Sequence, residues 1–246
     1  MEVYSKREAP VARWIVAVVL LIVFGGMIFL VYSGYSSYID VPVSEFVNSL
    51  RADWLTSIFK GITFLAEPIT LAVLCGVLLI FPKTTLRFGI PITVVTGLGS
   101  LIHTGLKHLF MRERPDVIFH LVEETGFGFP SGHSNAGFIF YIFLAFLIGR
   151  ALKQNNHGDI ANLLTVIFSI IVFLIGLSRI YLGVHFPTDV IAGLSLGGLF
   201  TIIFISLYDA VYPLKYHLGI QTSEWSSDNI KSWKRPAKKV DTDEKK

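Results

Sequence analysis

Charge is what this chain has least of. Only 16% of its 246 residues are Asp, Glu, Lys or Arg, against 52% hydrophobic, and the mean hydropathy is +0.61. A soluble domain of this length needs a polar shell that so few charges do not provide, so an integral membrane protein is the expectation. The one cysteine, Cys75, sits in an apolar run; it has no partner for an intrachain disulfide, and it says nothing about redox compartment. Internal repeats are absent, as is any break in composition that would mark a second domain. What charge there is spreads unevenly. The closing stretch KSWKRPAKKVDTDEKK is densely charged and lacks apolar periodicity, which reads as a solvated tail. A basic tail beside a membrane marks the cytoplasmic side or touches anionic lipid, so no nucleic-acid partner is expected.

Long apolar runs take the place of the missing charge. A spanning helix needs about 20 apolar residues, and six segments qualify: Trp14–Tyr32, Ile62–Phe81 (with a possible extension back to Trp54), Phe88–Leu106, Ser134–Ile148 starting near Gly132, Leu163–Tyr181 and Thr188–Tyr208. Pro68 and Pro91 fall inside the second and third, which membrane helices tolerate. The first run follows Lys6, Arg7 and Arg13, but it is longer than a signal-peptide core and no A-x-A site follows, so it is kept as a helix. The expected fold class is therefore all-α integral membrane, with a six-helix domain over residues 1–210 and a cytoplasmic basic tail over 211–246.

Lys and Arg set the direction of crossing. With the N-terminus inside, 15 of the 21 fall on cytoplasmic segments, which favours both termini in the cytoplasm. Residues 38–60, VSEFVNSLRADWLTSIFK among them, then lie outside as an amphipathic segment resting on the membrane surface.

Six crossings give three outward-facing ends, and each carries a polar island. KHLFMRERP (Lys107–Pro115) follows the third helix. Lys107 lies 20 residues beyond Arg87, about 30 Å of helix and a full crossing. PSGH (Pro130–His133) opens the fourth helix, and SRIYLGVHFPTD (Ser178–Asp189) joins the fifth to the sixth. Lys107, Arg114 and Arg179 are three cations that repel one another unless an anion sits among them. Ser131 and Gly132 precede a helix, whose free N–H groups make a phosphate cradle that glycine lets an anion approach. His185 and Asp189 are four apart and share a face if the last helix starts near His185, with Pro187 in its first turn. A carboxylate on one imidazole nitrogen fixes the tautomer and raises the basicity of the other, which makes a nucleophile. His133 is then left to protonate a leaving oxygen. Together these describe phosphoryl transfer, with cations rather than a metal offsetting the phosphate charge.

Each residue taken alone has a plainer reading. A Lys or Arg at a helix end is a snorkelling anchor, a single histidine at a membrane face is structural, and Asp189 is an ordinary charge at a helix N-terminus. The pair Gly193 and Gly197 reads as helix packing.

K-x6-R-P, P-S-G-H and S-R-x5-H-x3-D, at Lys107–Arg114–Pro115, Pro130–Ser131–Gly132–His133 and Ser178–Arg179–His185–Asp189, resemble the three motifs of the type 2 phosphatidic acid phosphatase superfamily. All eleven positions agree and come in the same order. The resemblance implies a bacterial plasma-membrane lipid phosphatase working at the outer face. In it His185 forms a phosphohistidine, Asp189 orients His185, and His133 serves as acid and then base. Lys107, Arg114, Ser131, Gly132 and Arg179 bind the phosphate. No cofactor, metal or obligate protein partner is implied; the partners are the bilayer and a lipid phosphate. The compact plan resembles undecaprenyl-diphosphate and phosphatidylglycerophosphate phosphatases. Undecaprenyl diphosphate is the leading expected substrate, with phosphatidylglycerophosphate or phosphatidic acid as the alternative. A catalytically silent lipid-binding or transport protein is the alternative of another class, and intact His185, Asp189 and His133 argue against it.

Glu67 falls inside the second span, about 21 Å from its inner end near Phe81. A carboxylate at that depth is a functional candidate, here for substrate choice, or else it is wetted or paired. Arg112, Glu113, Glu123 and Glu124 read as solvated loop charge. Phe127 and Phe129 read as lipid contacts or loop anchors. His103, His108, His120, His157 and His217 receive no role.

Overall fold

The structure, a computed structural model, describes residues 11–154 and 156–217. Among these residues there is no strand. The helices are α1 (Val11–Tyr32), α2 (Ser37–Ser49), α3 (Asp53–Phe64), α4 (Pro68–Ile80), α5 (Pro82–Thr84), α6 (Ile90–Phe110), α7 (Gly132–Gln154), α8 (Gly158–Tyr181) and α9 (Pro187–His217). Two compact units part between Ser206 and Leu207 within α9. The expected tail lies largely outside the described residues.

Five helical stretches are long and apolar enough to cross a bilayer: Val11–Tyr32, Thr85–Phe110, Gly132–Lys153, Gly158–Tyr181 and Pro187–Ala210. A sixth crossing exists if the bent pair α3 and α4 counts as one span. Ile15, Ile22, Phe29 and Leu101 are each more than half exposed, as expected of helices that face hydrocarbon rather than water.

Two expectations need correction. The second span is not one helix, because α3 and α4 meet at 48°. Pro68 has no N–H to continue the ladder, and it drives the residue before it out of the helical region. Glu67 duly takes φ −60°, ψ 139° and stands at the start of α4 rather than inside a helix. The chain tightens just before the break, with Leu65, Ala66 and Glu67 N–H donating three residues back to Ile62, Thr63 and Phe64. Residues 38–60 are likewise not one amphipathic segment. They divide between α2 and α3 at Leu50–Ala52, and α3 belongs to the bent pair.

α7 packs against both α6 and α8, and α3 packs on α8. Gly193 and Gly197 serve packing, as expected. A Cβ on Gly193 would come within 2.5 Å of the Ser131 carbonyl oxygen, and one on Gly197 within 2.8 Å of that of Asn135. α9 therefore lies directly on the start of α7. Two apolar clusters flank the junction. Phe24, Phe129, Ala192 and Leu196 form one; Val47, Phe59, Tyr181, Leu182 and Val184 form the other.

Candidate active site

α6 ends where Met111 adopts a left-handed conformation (φ 47°) and donates its N–H to the Lys107 carbonyl. That turn sends Arg112 and Arg114 back over the helix ends. The loop is tied down where Gly128 N–H donates to Arg112 O at 2.7 Å and Leu121 N–H to Leu182 O at 2.9 Å. α8 ends in a similar reversal through Gly183 (φ 75°), whose position faces the Phe119 carbonyl with no room for a side chain. Val184, His185 and Phe186 then pass beneath the loop into α9.

His185 is buried, and its two nitrogens meet different partners. Nε2 accepts a hydrogen bond from Arg114 Nη1 at 3.1 Å. Nδ1 lies 3.5 Å from Asp189 Oδ2, too far and too poorly aligned for a hydrogen bond, although such contacts often tighten only once substrate is bound. α9 starts at Pro187, so His185 stands just outside the helix. It approaches Asp189 because the Asp189 carboxylate accepts from Phe186 N–H at 2.9 Å and folds the turn over itself. Burial, and then the charges of Arg114, Arg179, Lys107 and His103, hold the His185 imidazolium well below the usual histidine range. At neutral pH it is an uncharged imidazole.

Arg114 is clamped, donating to the carbonyls of Gly126, Val184 and Thr125 and to Glu124 Oε2 at 3.2 Å. Burial pulls its pKa down, with Glu124 and Asp189 opposing. Arg179 is buried; it donates to Thr63 Oγ1 at 2.5 Å and to Glu124 Oε1. Lys107 lies close enough to Arg114, Glu124, Asp189 and Arg179 for its charge to act on all four. Three cations thus converge, and the carboxylate of Glu124 sits between two of them.

Ser131 and Gly132 open α7 as expected, but the Ser131 N–H is taken by the Asp189 carbonyl at 2.9 Å. The first rung of the helix ladder runs from Asn135 N–H to Ser131 O, which leaves the N–H groups of Gly132 and His133 ahead of it. His103 lies beneath this turn, its Nε2 3.0 Å from the Pro130 carbonyl, where it supports the cradle. His133 Nε2 is 3.6 Å from Glu67 Oε1, and its Nδ1 is 4.0 Å from Glu124 Oε1. All the singled-out residues therefore gather at one end of α6, α7, α8 and α9, with Glu67 at the edge.

Two readings change, and a third narrows to one of its alternatives. Glu124 is no solvated charge, since its carboxylate bridges Arg114 and Arg179. Arg112 is not loop charge either; it pairs with Asp40 at 2.6 Å and with Asp189. Phe129 is fully buried, stacked near Phe24 and edge-on to Phe110, and so anchors the loop rather than touching lipid. Asp40 escaped notice altogether, although a carboxylate inside SYIDVPV, with apolar residues on both sides, was a visible signal.

This is a helical membrane protein with a cluster of buried cations and histidines at its helix ends. Residues 88–212 match the PAP2 superfamily, and the chain belongs to it. It is similar to phosphatidylglycerophosphatase B of Bacillus subtilis (strain 168), 36% identical over 162 residues that make up 64% of this chain and 77% of that protein. It also resembles the crystal structure of a transmembrane PAP2-type phosphatidylglycerolphosphate phosphatase from Bacillus subtilis. There the TM-score is 0.72 at 30% identity, covering 79% of this chain and 96% of that one. Escherichia coli YbjG, provisionally named an undecaprenyl-diphosphatase, is 31% identical over 115 residues, 44% of this chain and 50% of that protein.

Proposed function

We propose that this protein is a metal-independent membrane lipid phosphatase that works through a phosphohistidine. The observation that carries the reading is the neutral, buried His185, its Nε2 turned to Arg114 and its Nδ1 to Asp189. Nε2 attacks phosphorus as the bond from phosphorus to the lipid oxygen breaks, and His133 gives that oxygen a proton. His133 then takes a proton from water, which attacks the phosphohistidine and releases phosphate. Lys107, Arg114 and Arg179, with the N–H groups at the start of α7, hold the phosphate oxygens. As charge builds on those oxygens, fixed donors stabilise the transition state more than the ground state.

Phosphatidylglycerophosphate is the substrate placed first, because the relative matched over 77% of its length bears that activity in its name. Undecaprenyl diphosphate, which the sequence reading placed first, is the second; the match to half of the Escherichia coli protein supports it. The catalytic face is outward in a bacterial plasma membrane, with both termini and the tail from 211 onward cytoplasmic. The excess of Lys and Arg on the opposite segments supports this.

The test is phosphate release by purified protein in detergent with EDTA. Phosphatidylglycerophosphate, undecaprenyl diphosphate and phosphatidic acid are offered side by side, with His185→Ala as control. Turnover by the wild type and its loss in the control are expected, and kcat/KM ranks the lipids. Turnover that survives in His185→Ala overturns the phosphohistidine. Silence on every lipid points to a binding or transport protein instead.

A further inference from the structure

Behind Asp189 lies a second layer of charge that the phosphatase reading does not use. Arg112 donates Nη1 to Thr188 Oγ1 at 2.7 Å and to Asp189 Oδ1. Its Nη2 goes to Asp40 Oδ2 at 2.6 Å and to Ser36 Oγ at 3.2 Å. The guanidinium lies over the Phe186 ring, 4.6 Å from the centroid. Asp40, only 2% exposed, also accepts from the N–H and the hydroxyl of Thr188 at 3.0 and 2.9 Å. Every polar partner is thus accounted for in a place where an unpaired charge is costly.

The arrangement is directional. One oxygen of Asp189 is held by Arg112; the other accepts from Phe186 N–H and faces His185. Rotation of the Asp189 carboxylate would break one of these. Asp40 comes from α2, which lies outside the stretch that matches the family, residues 88–212.

We propose that Arg112 is a positioning residue of the reaction: gripped by Asp40 of α2, it fixes the carboxylate of Asp189 behind His185, so that a helix outside the family-matched stretch sets the aim of the nucleophile. The inference rests on the phosphatase reading. Arg112 touches no substrate and acts through Asp189. Two carboxylates share one guanidinium, so Asp40 also limits how far Arg112 neutralises Asp189. The other titratable groups around His185 and Asp189 are Arg114, Arg179, Lys107, His103 and His133, with Glu124 paired to Arg114 and Arg179, and they are the same in all the variants below.

The two halves of the grip predict opposite effects. In Asp40→Asn the full charge of Arg112 acts on Asp189, which supports the imidazolium of His185 less. The acid limb of kcat/KM against pH moves down, by roughly 0.5 to 1 unit. In Arg112→Gln Asp189 is unneutralised and the limb moves up by a similar amount. In both, kcat on the best lipid falls about 10- to 100-fold while KM changes little. The double variant Asp40→Asn/Arg112→Gln loses less than the product of the two. Arg51→Ala is the structural comparator. Arg51 ties the chain between α2 and α3 to the carbonyls of Tyr181 and Phe119, so its loss lowers thermal stability without moving the limb.

The profiles are measured on full-length protein in detergent, alongside thermal unfolding. Limbs that coincide with the wild type's, move the same way in both variants, or move in Arg51→Ala overturn the proposal, even if stability falls. Asp40→Asn keeps the shape of the side chain and, through its remaining oxygen, the bond from Thr188 N–H, so the question is answered even if Arg112→Gln does not fold. Wild-type turnover with unmoved limbs sinks this inference alone. A wild type silent on every lipid sinks the phosphatase reading and this inference with it.

Discussion

Arg114 Nη1 lies 3.1 Å from His185 Nε2. A guanidinium can only donate, so Nε2 is the nitrogen with the lone pair and the ring proton is on Nδ1, towards Asp189. The tautomer that the proposed nucleophilic attack would require is therefore set by the fold before any substrate arrives. The same nitrogen of Arg114 also donates to the Val184 carbonyl at 2.9 Å, which holds the guanidinium in place. A phosphate entering between them would take over the bond now made to Nε2 and leave that lone pair free to attack.

Arg114→Lys tests that arrangement. Lysine keeps the charge but loses the fork that reaches Gly126, Thr125, Val184 and Glu124 together. We expect kcat/KM to fall about 10²- to 10³-fold, the size typical of losing one fixed donor to a developing oxyanion. Steady-state phosphate release in detergent measures it, and a fall of twofold or less would show that charge alone suffices.

His185 carries a prediction about stability. Its folded pKa lies well below the usual histidine value of about 6.5. Below pH 6.5 the unfolded chain therefore binds a proton that the folded one does not, and stability drops as pH falls towards the folded value. The sign is that of a buried neutral base, opposite to a paired histidine. His185→Gln removes this contribution, so its unfolding midpoint should drop less than the wild type's between pH 7 and pH 5. Equal drops in the two proteins would contradict a depressed His185.

Glu124 bridges Arg114 and Arg179 where a phosphate would sit, its side chain 20% exposed. An incoming anion must displace or share this carboxylate. Glu124→Gln keeps the shape and removes the charge, so inorganic phosphate should inhibit the variant about 10-fold more tightly, a change of ~1.4 kcal/mol. Product-inhibition constants decide the matter; unchanged constants would mean that Glu124 does not compete with phosphate.

These residues show which parts of the fold were legible in the sequence. Apolar runs announced α1, α6, α7, α8 and α9 because spanning helices need length and hydropathy, which are local properties. Motif spacing brought Lys107, Arg114, His133, Arg179, His185 and Asp189 together because antiparallel crossings put alternate helix ends on one face. The break at Glu67 was signalled by Pro68, but tolerance of proline in membrane helices concealed it. The roles of Arg112 and Glu124 were illegible for a different reason. Their meaning depends on partners 55 to 77 positions away, Arg179 for Glu124, Asp40 and Asp189 for Arg112, and no local pattern carries that information.

Glu67 offers the sharpest test of selectivity. Its carboxylate is 41% exposed and stands 3.6 Å from His133 Nε2, at the bend between α3 and α4. At the rim of a phosphate site a negative charge repels anionic headgroups, and most strongly those carrying a second phosphate. Glu67→Gln should therefore raise kcat/KM for undecaprenyl diphosphate and phosphatidylglycerophosphate relative to phosphatidic acid. The expected change in the ratio is about 2- to 5-fold, since a half-exposed charge is screened by water. The readout is a competition between lipids in one vessel, which cancels errors in enzyme concentration. A ratio equal to the wild type's would leave Glu67 as a wetted carboxylate at a helix break, with the choice of lipid made elsewhere along the apolar walls.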